Sequence, residues 1–565
     1  MRPAGRGELE SLYFQYPTFE FRRSPELKGD RALHPVAVAG AGPVGLAAAL
    51  ELARRGIACV VLERKNTVND GSRAICVSRH SFETLQQLGV ASRFEEKALG
   101  WTSGRCYYRD RMIYRLEMPH SPEERYLPMY NIQQQYIEQF LIDRASEFPE
   151  LIDLRWQNEV TSVAAEGDEV VSEVQTPEGA YCLRSRYLLA ADGAASLVRK
   201  SLGLKLHGEN LPGRYVIADV RMQHDFPTER RSFFESAANP DSTILIHRQP
   251  DDIWRIDWQL RGHEDPVEAV REANVRRRLQ AILDMIGHEG AWDLEWWSIY
   301  TANTLCLDDY RHGRILFVGD SAHIVPIFGV RGLNNGFDDA VNAGWKLAYV
   351  LQGRAGDALL DSYTPERRGA TLDVFRNAGK SSRFMTPPSR GYALLRKAAL
   401  QLSLSQEFTR RLADPRQVAP YTYADSPLTS FPERDREFVG GVPAGAVAVN
   451  RRTGADDFLL GHAGPGFTGL CFSKGESLPG GLPDLARRLQ SIDPDFRLIQ
   501  VSRTPARHEG IDVIVDEGNI SEGYAARDGT FYLLRPDRHV AARWLVAESA
   551  EIESALRAAL AGGTG

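Results

Sequence analysis

The chain has 565 residues, of which 43% are hydrophobic, 9% aromatic and 25% charged, a composition typical of a folded protein that excludes disordered and fibrous classes. Its 68 Lys and Arg residues stand against 75 Asp and Glu residues, a formal net charge of −7 that leaves no cationic excess for a nucleic-acid backbone, so we expect no nucleic-acid partner. The longest apolar stretches, such as 57–62, are far shorter than the roughly 20 residues of a membrane helix, so we expect no membrane span.

The cysteines and the N-terminus bear on the compartment. The first residues lack the continuous apolar block of a secretory signal. No two cysteines form a C-x-x-C pair, which argues against metal and dithiol chemistry. The six cysteines are Cys59, Cys76, Cys106, Cys182, Cys306 and Cys471. We therefore expect a cytoplasmic protein with reduced thiols and no metal site.

In chain order, the first regular pattern follows a polar arm at 1–34 that contains a cluster of aromatic residues. Residues 36–39 form a short apolar run, 43–55 an Ala- and Leu-rich helix stopped by a glycine, and 58–62 a second apolar run. A strand, helix, strand unit is the signature of a parallel sheet. The sequence therefore predicts that a parallel α/β domain follows the arm.

The middle of the chain predicts a separate, largely antiparallel sheet. Helices are predicted at 132–146, 195–202, 268–286 and 337–352, and strands at 168–175, 180–190, 215–223, 232–235, 243–248, 253–260, 295–301 and 314–318. The runs between 215 and 301 alternate or are rich in aromatic residues, which is typical of antiparallel strands. Residues 376–435 are predicted to form a helical connector, and 436–565 one further small α/β domain.

A glycine-rich turn opens the first helix. The segment Gly40-Ala-Gly42-Pro-Val-Gly45 lies between predicted strand and helix, and Glu63 ends the next strand about 20 residues on. The glycines let the backbone approach a pyrophosphate, the helix N-terminus supplies N–H donors, and the acid accepts ribose hydroxyl groups. We therefore expect a dinucleotide site. The same pattern of glycines at 464–469 precedes a strand and opens no helix, so that segment is predicted to be a loop.

Two further motifs follow predicted strands. Asp192-Gly193 precedes a helix-start serine and by itself would indicate an ordinary turn. Gly319-Asp320 follows the strand at 314–318, and a glycine-dense loop at 329–336 comes after it. Glycines between a buried strand and an amphipathic helix indicate backbone that lies close against a ligand.

In this order the three motifs resemble those of the single-component flavin-dependent aromatic hydroxylases, the group that contains para-hydroxybenzoate hydroxylase and phenol hydroxylase. The likeness is greatest to 3-(3-hydroxyphenyl)propionate hydroxylase-like enzymes and covers most of residues 35–375. It implies an α/β fold with an FAD-binding Rossmann-like parallel sheet, an inserted antiparallel-sheet substrate domain and a C-terminal thioredoxin-like domain. The implied boundaries are 1–34 for the N-terminal arm, 35–95 with 130–205 and 303–375 for the FAD-binding domain, 96–129 with 206–302 for the substrate domain, 376–435 for the connector, and 436–565 for the thioredoxin-like domain.

The resemblance implies non-covalently bound FAD and assigns residues to it. The first motif would hold the ADP half, the Asp-Gly motif the pyrophosphate, and the Gly-Asp motif the ribityl chain. Two smaller matches add Arg73 and, at a Gln-x-x-hydrophobic-Glu helix start, Gln134, with Gln133 left open as the alternative. The implied cofactor-binding residues are Gly40, Gly42, Pro43, Gly45, Glu63, Arg64, Arg73, Gln134, Asp192, Gly193, Gly319, Asp320, Pro326, Gly332, Leu333 and Asn334, and Arg199 is a further candidate.

The loop departs from the family at one position. The family commonly carries Gly-x-Gly-x-Asn, whereas here Val330 occupies the first glycine position, followed by Arg331 and Gly332. The backbone donors at 332–334, at the start of a helix, would still face the flavin pyrimidine and its negative charge. For Arg331, a role at the flavin and an ordinary surface charge both stay open.

Candidate substrate contacts come from the alternation of residues along the predicted strands. Arg255, His247 and Tyr300 are the candidate polar contacts. One face, which could hold an aromatic ring or pack in the core, carries Trp254, Ile256, Trp258 and Leu260, and the other face carries Arg255, Asp257 and Gln259.

The resemblance implies a flavoprotein aromatic monooxygenase. Its reaction would be hydride transfer from NADH or NADPH to FAD, reaction with O2 to a flavin C4a-hydroperoxide, and hydroxylation of a phenolic ring. A small aromatic substrate, O2 and NAD(P)H are the implied partners, a homodimer stays open, and no catalytic residue is assigned. The alternatives are an oxygenase for a polyketide or polycyclic phenol, a Baeyer-Villiger oxygenase, and a non-catalytic flavin-bound sensor or scaffold. In the C-terminal domain the single Cys471 excludes internal disulfide exchange, so we expect a structural or subunit-contact role there.

Overall fold

In a computed structural model that describes residues 4–5, 9–326, 330–410, 419–474 and 482–562, the chain forms four sheets. In chain order the first elements are β1 (Ala4–Gly5), β2 (Leu33–Ala39), α1 (Pro43–Ala53), β3 (Cys59–Glu63), β4 (Cys76–Ser78), α2 (Arg79–Gln87), α3 (Ala91–Lys97), β5 (Leu99–Trp101), β6 (Ser103–Tyr108), β7 (Arg111–Glu117), β8 (Met129–Asn131), α4 (Gln134–Ala145), β9 (Ile152–Trp156), β10 (Glu159–Glu166), β11 (Glu169–Thr176), β12 (Gly179–Ala190) and α5 (Leu197–Ser201).

The next elements build the middle of the molecule. They are β13 (His207–Met222), β14 (Arg230–Ser236), β15 (Asn239–Arg248), β16 (Ile253–Gln259), α6 (Pro266–Ala269), α7 (Glu272–Met285), β17 (Trp292–Cys306), β18 (Arg311–His312), β19 (Ile315–Phe317), β20 (His323–Ile324), α8 (Gly332–Leu351), α9 (Tyr363–Met385), α10 (Arg390–Leu402) and α11 (Glu407–Arg410). The C-terminal elements are β21 (Thr468–Ser473), α12 (Leu482–Ile492), β22 (Arg497–Ser502), β23 (Ile511–Val515), α13 (Asn519–Gly523), β24 (Phe531–Leu534), β25 (Val540–Trp544) and α14 (Ser549–Leu560).

An eight-stranded sheet forms the first layer, with the order β10-β11-β12-β2-β3-β9, with β19 beside β12 and β18 beside β19. Strands β12, β2, β3 and β9 run parallel, as the strand, helix, strand pattern predicts. Residues 36–39 of β2 and 59–62 of β3 are buried without interruption, which is typical of a parallel sheet covered on both faces. The sheet brings the carboxyl ends of β2, β3 and β12 to one edge, where ligands bind in such folds.

A nine-stranded sheet forms the second layer, with the order β1-β17-β13-β16-β15-β14-β6-β7 and with β20 beside β17. Its central strands pair antiparallel, as predicted. Helix α7 covers one face, where buried aliphatic and tryptophan side chains from sheet and helix share one core. The predicted α/β fold with two sheets of different type is therefore confirmed.

Two predicted helices differ from the structure. The helix expected at 268–286 is broken into α6 and α7, because Arg271 adopts an extended backbone with ψ 133°. Helix α8 begins at Gly332, five residues before the start predicted from the apolar pattern and in agreement with the helix start expected at the 332–334 donors. Its first turns contain glycine and asparagine, which have low helix propensity, and tertiary packing overrides that preference. At Gly336 a Cβ atom would lie 2.5 Å from Val44 Cγ2, so this glycine lets α8 approach α1 closely.

The C-terminal segment forms a five-stranded sheet with the order β23-β22-β21-β24-β25. Strands β21, β22 and β23 are parallel, and β24 and β25 are antiparallel to their neighbours. The 464–469 segment enters β21 and opens no helix, as predicted. The core of this segment includes Trp345 and Tyr349 from α8. The predicted likeness to thioredoxin stays a prediction, and the predicted connector boundary at residue 376 lies inside α9.

Candidate functional site

Two adjoining cavities lie between the sheets, with volumes of about 230 Å³ and 380 Å³. The smaller lies at the carboxyl ends of β2, β3 and β12, and the larger extends from there to the nine-stranded sheet. Both are lined by Gly42, Pro43, Asn69, Gln134, Ala191 and Gly193. The three sequence motifs thus surround one continuous space.

The glycines of the first motif have two different roles. Gly42 is the N-cap of α1, and a Cβ atom there would meet no protein atom within 4 Å, so its missing side chain leaves space in the cavity. At Gly45 a Cβ atom would lie 2.0 Å from the Gly40 carbonyl oxygen. Gly40 itself has φ 103°, in the region that favours glycine. Gly42 therefore opens the site, whereas Gly40 and Gly45 permit the tight turn beneath it.

Glu63 ends β3 and lines the smaller cavity together with Arg64. Its Oε2 accepts a hydrogen bond of 2.8 Å from the Ala41 N–H, and its Oε1 accepts one of 2.9 Å from the Lys65 N–H. These bonds fix the carboxylate at the mouth of the glycine turn, while each oxygen keeps further acceptor capacity.

Asp192 and Gly193 follow β12 at the junction of the cavities. Asp192 Oδ2 accepts a 3.0 Å hydrogen bond from the Val198 N–H in the first turn of α5, while its buried Oδ1 has no protein partner. A Cβ atom at Gly193 would meet nothing within 4 Å. A carboxylate oxygen left unpaired beside open space fits a ligand group at this position. Arg199 instead donates to the backbone oxygens of Ser321 and Ala194, and so ties the second motif to the third.

Gly319 and Asp320 form a short turn after β19. Gly319 has φ 62°, and its N–H donates to Asp339 Oδ2 at 2.9 Å. The Asp320 carboxylate is exposed to the larger cavity although protein surrounds it. This burial raises its pKa, and the charges of His323 and Arg73 partly oppose the shift.

Gln134 joins α4 to the loop that carries Arg73. Its Oε1 accepts from the N–H groups of Arg73 and Ala74, each at 3.2 Å, and its Nε2 donates to Glu138 Oε1 at 2.9 Å. Gln133 donates to the Pro250 carbonyl and lines neither cavity, so the geometry favours Gln134. Glu138 lines the smaller cavity, and burial raises its pKa to about 7. Glu138 is the glutamate of the Gln-x-x-hydrophobic-Glu helix start, a pattern that by itself predicts no place in the site.

The glycine-dense loop closes the larger cavity. Pro326, Val330, Gly332 and Leu333 line it, whereas 327–329 lie outside the described residues. Because α8 begins at Gly332, the N–H groups of its first turn have no partner within the helix. They and the helix dipole are available to negative charge.

The Asn334 side chain lines neither of the two adjoining cavities. Its Oδ1 accepts from the Ser78 N–H at 2.8 Å and from the Ser81 hydroxyl at 2.7 Å. Its Nδ2 donates to the carbonyls of Cys76 and Val330. The side chain therefore anchors the start of α8 to the start of α2.

Val330 and Arg331 show what the departure from the family pattern does. Val330 has φ 55°, so a β-branched residue adopts the left-handed conformation that glycine would take without strain. The surface-charge interpretation of Arg331 is wrong, because its side chain is 6% exposed and its Nε has no partner. Burial lowers its pKa, which Asp373 partly offsets.

The predicted aromatic face of β16 does not line the cavity. Trp254, Ile256 and Trp258 pack into the core beneath α7, so the substrate-pocket alternative for this face is wrong. The opposite face is the cavity wall, where Arg255 and Asp257 lie. Tyr300 lies on β17 opposite Tyr215 of β13, and the two rings pack with their centroids 5.6 Å apart. His247 does line the cavity.

Arg255 holds the wall to the Arg73 loop. Its guanidinium binds both oxygens of Asp219 at 2.9 Å and donates to the carbonyls of Ser72 and Arg73. All its charge is thus paired within the protein, which makes it a positioning residue rather than a free substrate contact.

Within the described residues, no helix is both long and apolar enough to cross a bilayer, and no three potential metal-ligating side chains cluster together. All six cysteines are free thiols.

The chain matches known proteins over most of its length. The family described as "FAD binding domain" matches residues 34–378, more than half of the chain. The 3-(3-hydroxy-phenyl)propionate/3-hydroxycinnamic acid hydroxylase of Escherichia coli O157:H7 is 26% identical over 531 residues, which cover 90% of this chain and 91% of that protein.

Solved structures give the same picture of the fold. The flavin-dependent monooxygenase PieE, in complex with FAD and substrate, superposes with a TM-score of 0.75 at 22% identity, over 94% of this chain and 99% of PieE. Aklavinone-11 hydroxylase with FAD and aklavinone gives a TM-score of 0.74 at 23% identity, over 94% and 99%. The chain therefore belongs to the FAD binding domain family, which confirms the predicted likeness to the single-component FAD-dependent aromatic hydroxylases.

Proposed function

We propose that the protein is an FAD-dependent, NAD(P)H-consuming monooxygenase that hydroxylates a phenolic aromatic substrate. One observation carries the proposal: two adjoining cavities, which share six lining residues, together extend from the three cofactor motifs to a wall of the nine-stranded sheet. A dinucleotide in the first part would place its far end beside a substrate on that wall.

FAD fits the residues present. The open positions at Gly42 and Gly193 let a pyrophosphate approach the backbone. The unpaired Asp192 Oδ1 would accept a hydrogen bond from a hydroxyl group of the same ligand. Glu63 and Arg64 would hold the adenosine side. On the flavin side, the contacts would come from Pro43, Arg73, Gln134, Asp320, Pro326, Gly332 and Leu333. Gly40, Gly45, Gly319 and Asn334 would act by shaping the backbone around the cofactor.

The bound flavin would supply hydride acceptance from NAD(P)H and oxygen activation. The protein's own share is positional and electrostatic. The N–H groups and positive dipole of the first turn of α8 would stabilise negative charge on a flavin bound in the larger cavity. Buried residues of the cavity walls would shield a bound flavin from water, which would suppress competing release of hydrogen peroxide.

A polycyclic or polyketide phenol is the second candidate substrate. The similar structures PieE and aklavinone-11 hydroxylase, which match 94% of this chain, favour it because one was solved with the polycyclic substrate aklavinone. The E. coli relative favours a single-ring phenol with a carboxylate side chain. Both classes share a phenolic ring, which is the part the wall would recognise.

The test is turnover with a defined panel. The purified protein should be yellow, and NAD(P)H oxidation should rise with some phenols, with hydroxylated product matching NAD(P)H consumed. Asp320→Ala should bind FAD more weakly, and the exposed Asp284→Ala on α7 is the matched control. Hydrogen peroxide without product for every phenol would contradict the proposal. Bound FAD without any substrate-stimulated oxidation would favour the sensor or scaffold, and an ester or lactone product would favour Baeyer-Villiger chemistry.

A further inference from the structure

The cavity wall is a grid of side chains on four neighbouring strands. In one row Asp219, Arg255, His247 and Arg230 are paired successively across β13, β16, β15 and β14. In the next row Ile217, Asp257, Leu245 and Ser232 are paired in the same strand order. Neighbours within such a row have Cβ atoms about 5 Å apart, and residues two apart along a strand share a face. Asp257 and Arg230 therefore lie on the two strands that flank β15, Asp257 beside Leu245 and Arg230 beside His247.

Within this grid the charges divide into paired and unpaired groups. Arg255 and Asp219 satisfy each other. Asp257 Oδ1, Arg230 Nε and His247 Nδ1 are buried and have no hydrogen-bond partner, and the three side chains are only 5%, 5% and 4% exposed. All three line the larger cavity. Buried polar atoms are nearly always paired in native proteins, so three unpaired ones that line one cavity indicate a missing partner.

The charged surroundings set the protonation of this group. Burial raises the pKa of Asp257 to about 7, with Asp219 adding to the shift and Arg255 and Arg230 opposing it. Burial, together with Arg230 and Arg255, holds the pKa of His247 well below its ordinary value, so the imidazole is neutral. The other titratable groups that line the larger cavity are Arg73, Cys76, Asp320 and Arg331. Tyr215 and Tyr300 lie on neighbouring strands, and Tyr13 of the N-terminal arm interacts with Asp219 and Arg255.

We propose that Asp257 accepts the proton of the substrate's ring hydroxyl and that Arg230 stabilises the oxygen anion left behind. This inference rests on the proposed function and specifies its substrate-deprotonating group. The substrate class is an aromatic ring whose hydroxyl reaches the wall, whether the ring is single or part of a polycycle. Leu245 and Ile217 lie beside Asp257 and offer the ring an apolar surface.

The proton transfer balances without a further reactant. The O–H bond of the ring hydroxyl breaks, the oxygen keeps the electron pair, and the proton forms a bond to the Asp257 carboxylate. The carboxylate becomes a neutral acid and the ring an electron-rich phenolate, so the total charge is unchanged. A general base that titrates near the working pH is the most effective kind. Arg230, whose Nε is unpaired, compensates a charge that develops only during the reaction.

Binding measurements without turnover test the proposal directly. The holoenzyme is titrated, in the absence of NAD(P)H, with 3-hydroxyphenylpropionate and with its methyl ether, and Kd is read from the perturbation of flavin absorbance. The same pair is measured for 1-naphthol and 1-methoxynaphthalene, which separates single-ring from fused-ring sources of the hydroxyl. We expect wild type at pH 8 to prefer the hydroxyl compound of at least one pair, and Asp257→Asn to reduce that preference about tenfold to a hundredfold, the value of a hydrogen bond to a charged group. Asp284→Asn on the far side of the sheet, where the carboxylate is exposed, should leave it unchanged.

Turnover then separates the two roles. Asp257→Asn should lower the hydroxylation rate about 100-fold or more and remove the pH limb near 7. Arg230→Gln should lower kcat more than it raises KM, because the charge it faces arises during the reaction, and Arg230→Lys should restore part of the rate. If phenols bind and are hydroxylated while Asp257→Asn keeps the preference for the hydroxyl compound, the inference is wrong and the proposed function stands. If no phenol is hydroxylated by wild type, the proposed function fails.

Discussion

The cavity wall and the contact between the C-terminal segment and α8 are both buried and both charged. At the contact the charged groups are paired with one another, whereas on the wall several polar atoms have no partner. At the contact, the fully buried Arg535 binds Glu366 at 2.5 Å and 2.9 Å and Asp537 at 2.6 Å. Lys346 of α8 donates to the same Glu366 at 2.6 Å. On the wall, Asp257, Arg230 and His247 each retain an atom without a partner.

The difference indicates which charges serve the fold and which serve a ligand. A buried ion pair is costly to break but adds little to stability beyond a well-packed apolar core, so its role is to fix one arrangement. The contact fixes α8, whose Asp339 accepts from the Gly319 N–H of the third motif. An unpaired buried charge lowers stability and persists where function needs it. Mutations in the two regions should therefore have opposite effects on stability.

The largest effect is expected for Arg535→Met at the contact. Removing the guanidinium leaves Glu366 and Asp537 buried without their main partner, which costs about 3–5 kcal/mol of unfolding free energy. Denaturant unfolding of the FAD-bound protein measures the loss. Although burial opposes ionisation, Arg535 and Lys346 hold the pKa of Glu366 well below its ordinary value. Wild type should therefore lose stability as the pH falls towards that value, and Arg535→Met should lose less.

The control is Arg557→Met in α14. Arg557 pairs with Glu553 at 2.9 Å, but its side chain is 61% exposed, and such pairs contribute about 0–1 kcal/mol. A loss at Arg535 no greater than the loss at Arg557 would remove the distinction between the contact and an ordinary surface pair.

The second prediction compares the effects of substituting Gly45 and Gly42, two glycines of the same turn, on stability and on FAD affinity. Gly45→Ala forces a Cβ atom against the Gly40 carbonyl and should cost about 3 kcal/mol of stability. Gly42→Ala meets only open space, so the unfolding free energy of the FAD-free protein should change by less than about 1 kcal/mol. Its methyl group should instead weaken FAD binding about 100-fold, or about 3 kcal/mol. Titration of FAD-free protein with FAD, beside thermal unfolding, separates the two outcomes, and unchanged FAD affinity in Gly42→Ala would contradict the assigned site.

Local patterns explain why the cofactor side was largely predictable from sequence. Gly40, Gly42 and Gly45 are needed at fixed spacing between a strand and a helix, and Asp192 and Asp320 follow the ends of parallel strands that the fold brings to one edge. These constraints act over a few residues, so the sequence carries them directly. The apolar pattern predicts the start of α8 five residues too late, because Gly332, Asn334 and Gly336 are poor helix formers that packing holds in the helix.

The substrate side was not predictable, for a physical reason visible in β16. All seven of its residues are buried, so alternation separates two faces without showing which one meets α7 and which one the cavity. Asp257 could be recognised only once the structure placed it beside the cavity. Arg331 was equally ambiguous, because a charged residue in a loop is exposed in most proteins and the sequence holds no record of its burial.

The third prediction extends the comparison to the effect of a cavity charge on stability. The pKa of Asp257 rises from 3.8 to about 7 on folding, so the folded state holds a proton that the unfolded state releases. Stability therefore falls between about pH 4 and pH 7 and stays low above that range, by an amount on the order of 4 kcal/mol. Asp257→Asn removes the charge and keeps a buried amide, so we expect a gain of about 2 kcal/mol at pH 8 and little change at pH 4. Thermal unfolding at pH 4 and pH 8 measures the change in stability. If Asp257→Asn is less stable than wild type at pH 8, the Asp257 carboxylate is not unpaired in the folded protein.

The smallest effect is expected for Cys471→Ala in β21. Cys471 is the only cysteine of 436–565, is 1% exposed, and has its pKa raised by burial to about 12, so it is a neutral thiol at working pH. A thiol without a nearby cysteine and without its anion cannot exchange disulfides or attack an electrophile. The variant should lose about 1 kcal/mol of stability from the small void and keep its hydroxylation rate within about twofold. The steady-state rate, measured beside wild type under identical substrate, decides the matter. A large loss of rate would mean that the C-terminal segment contributes chemistry, whereas an unchanged rate beside a destabilised Arg535→Met would assign its role to holding α8.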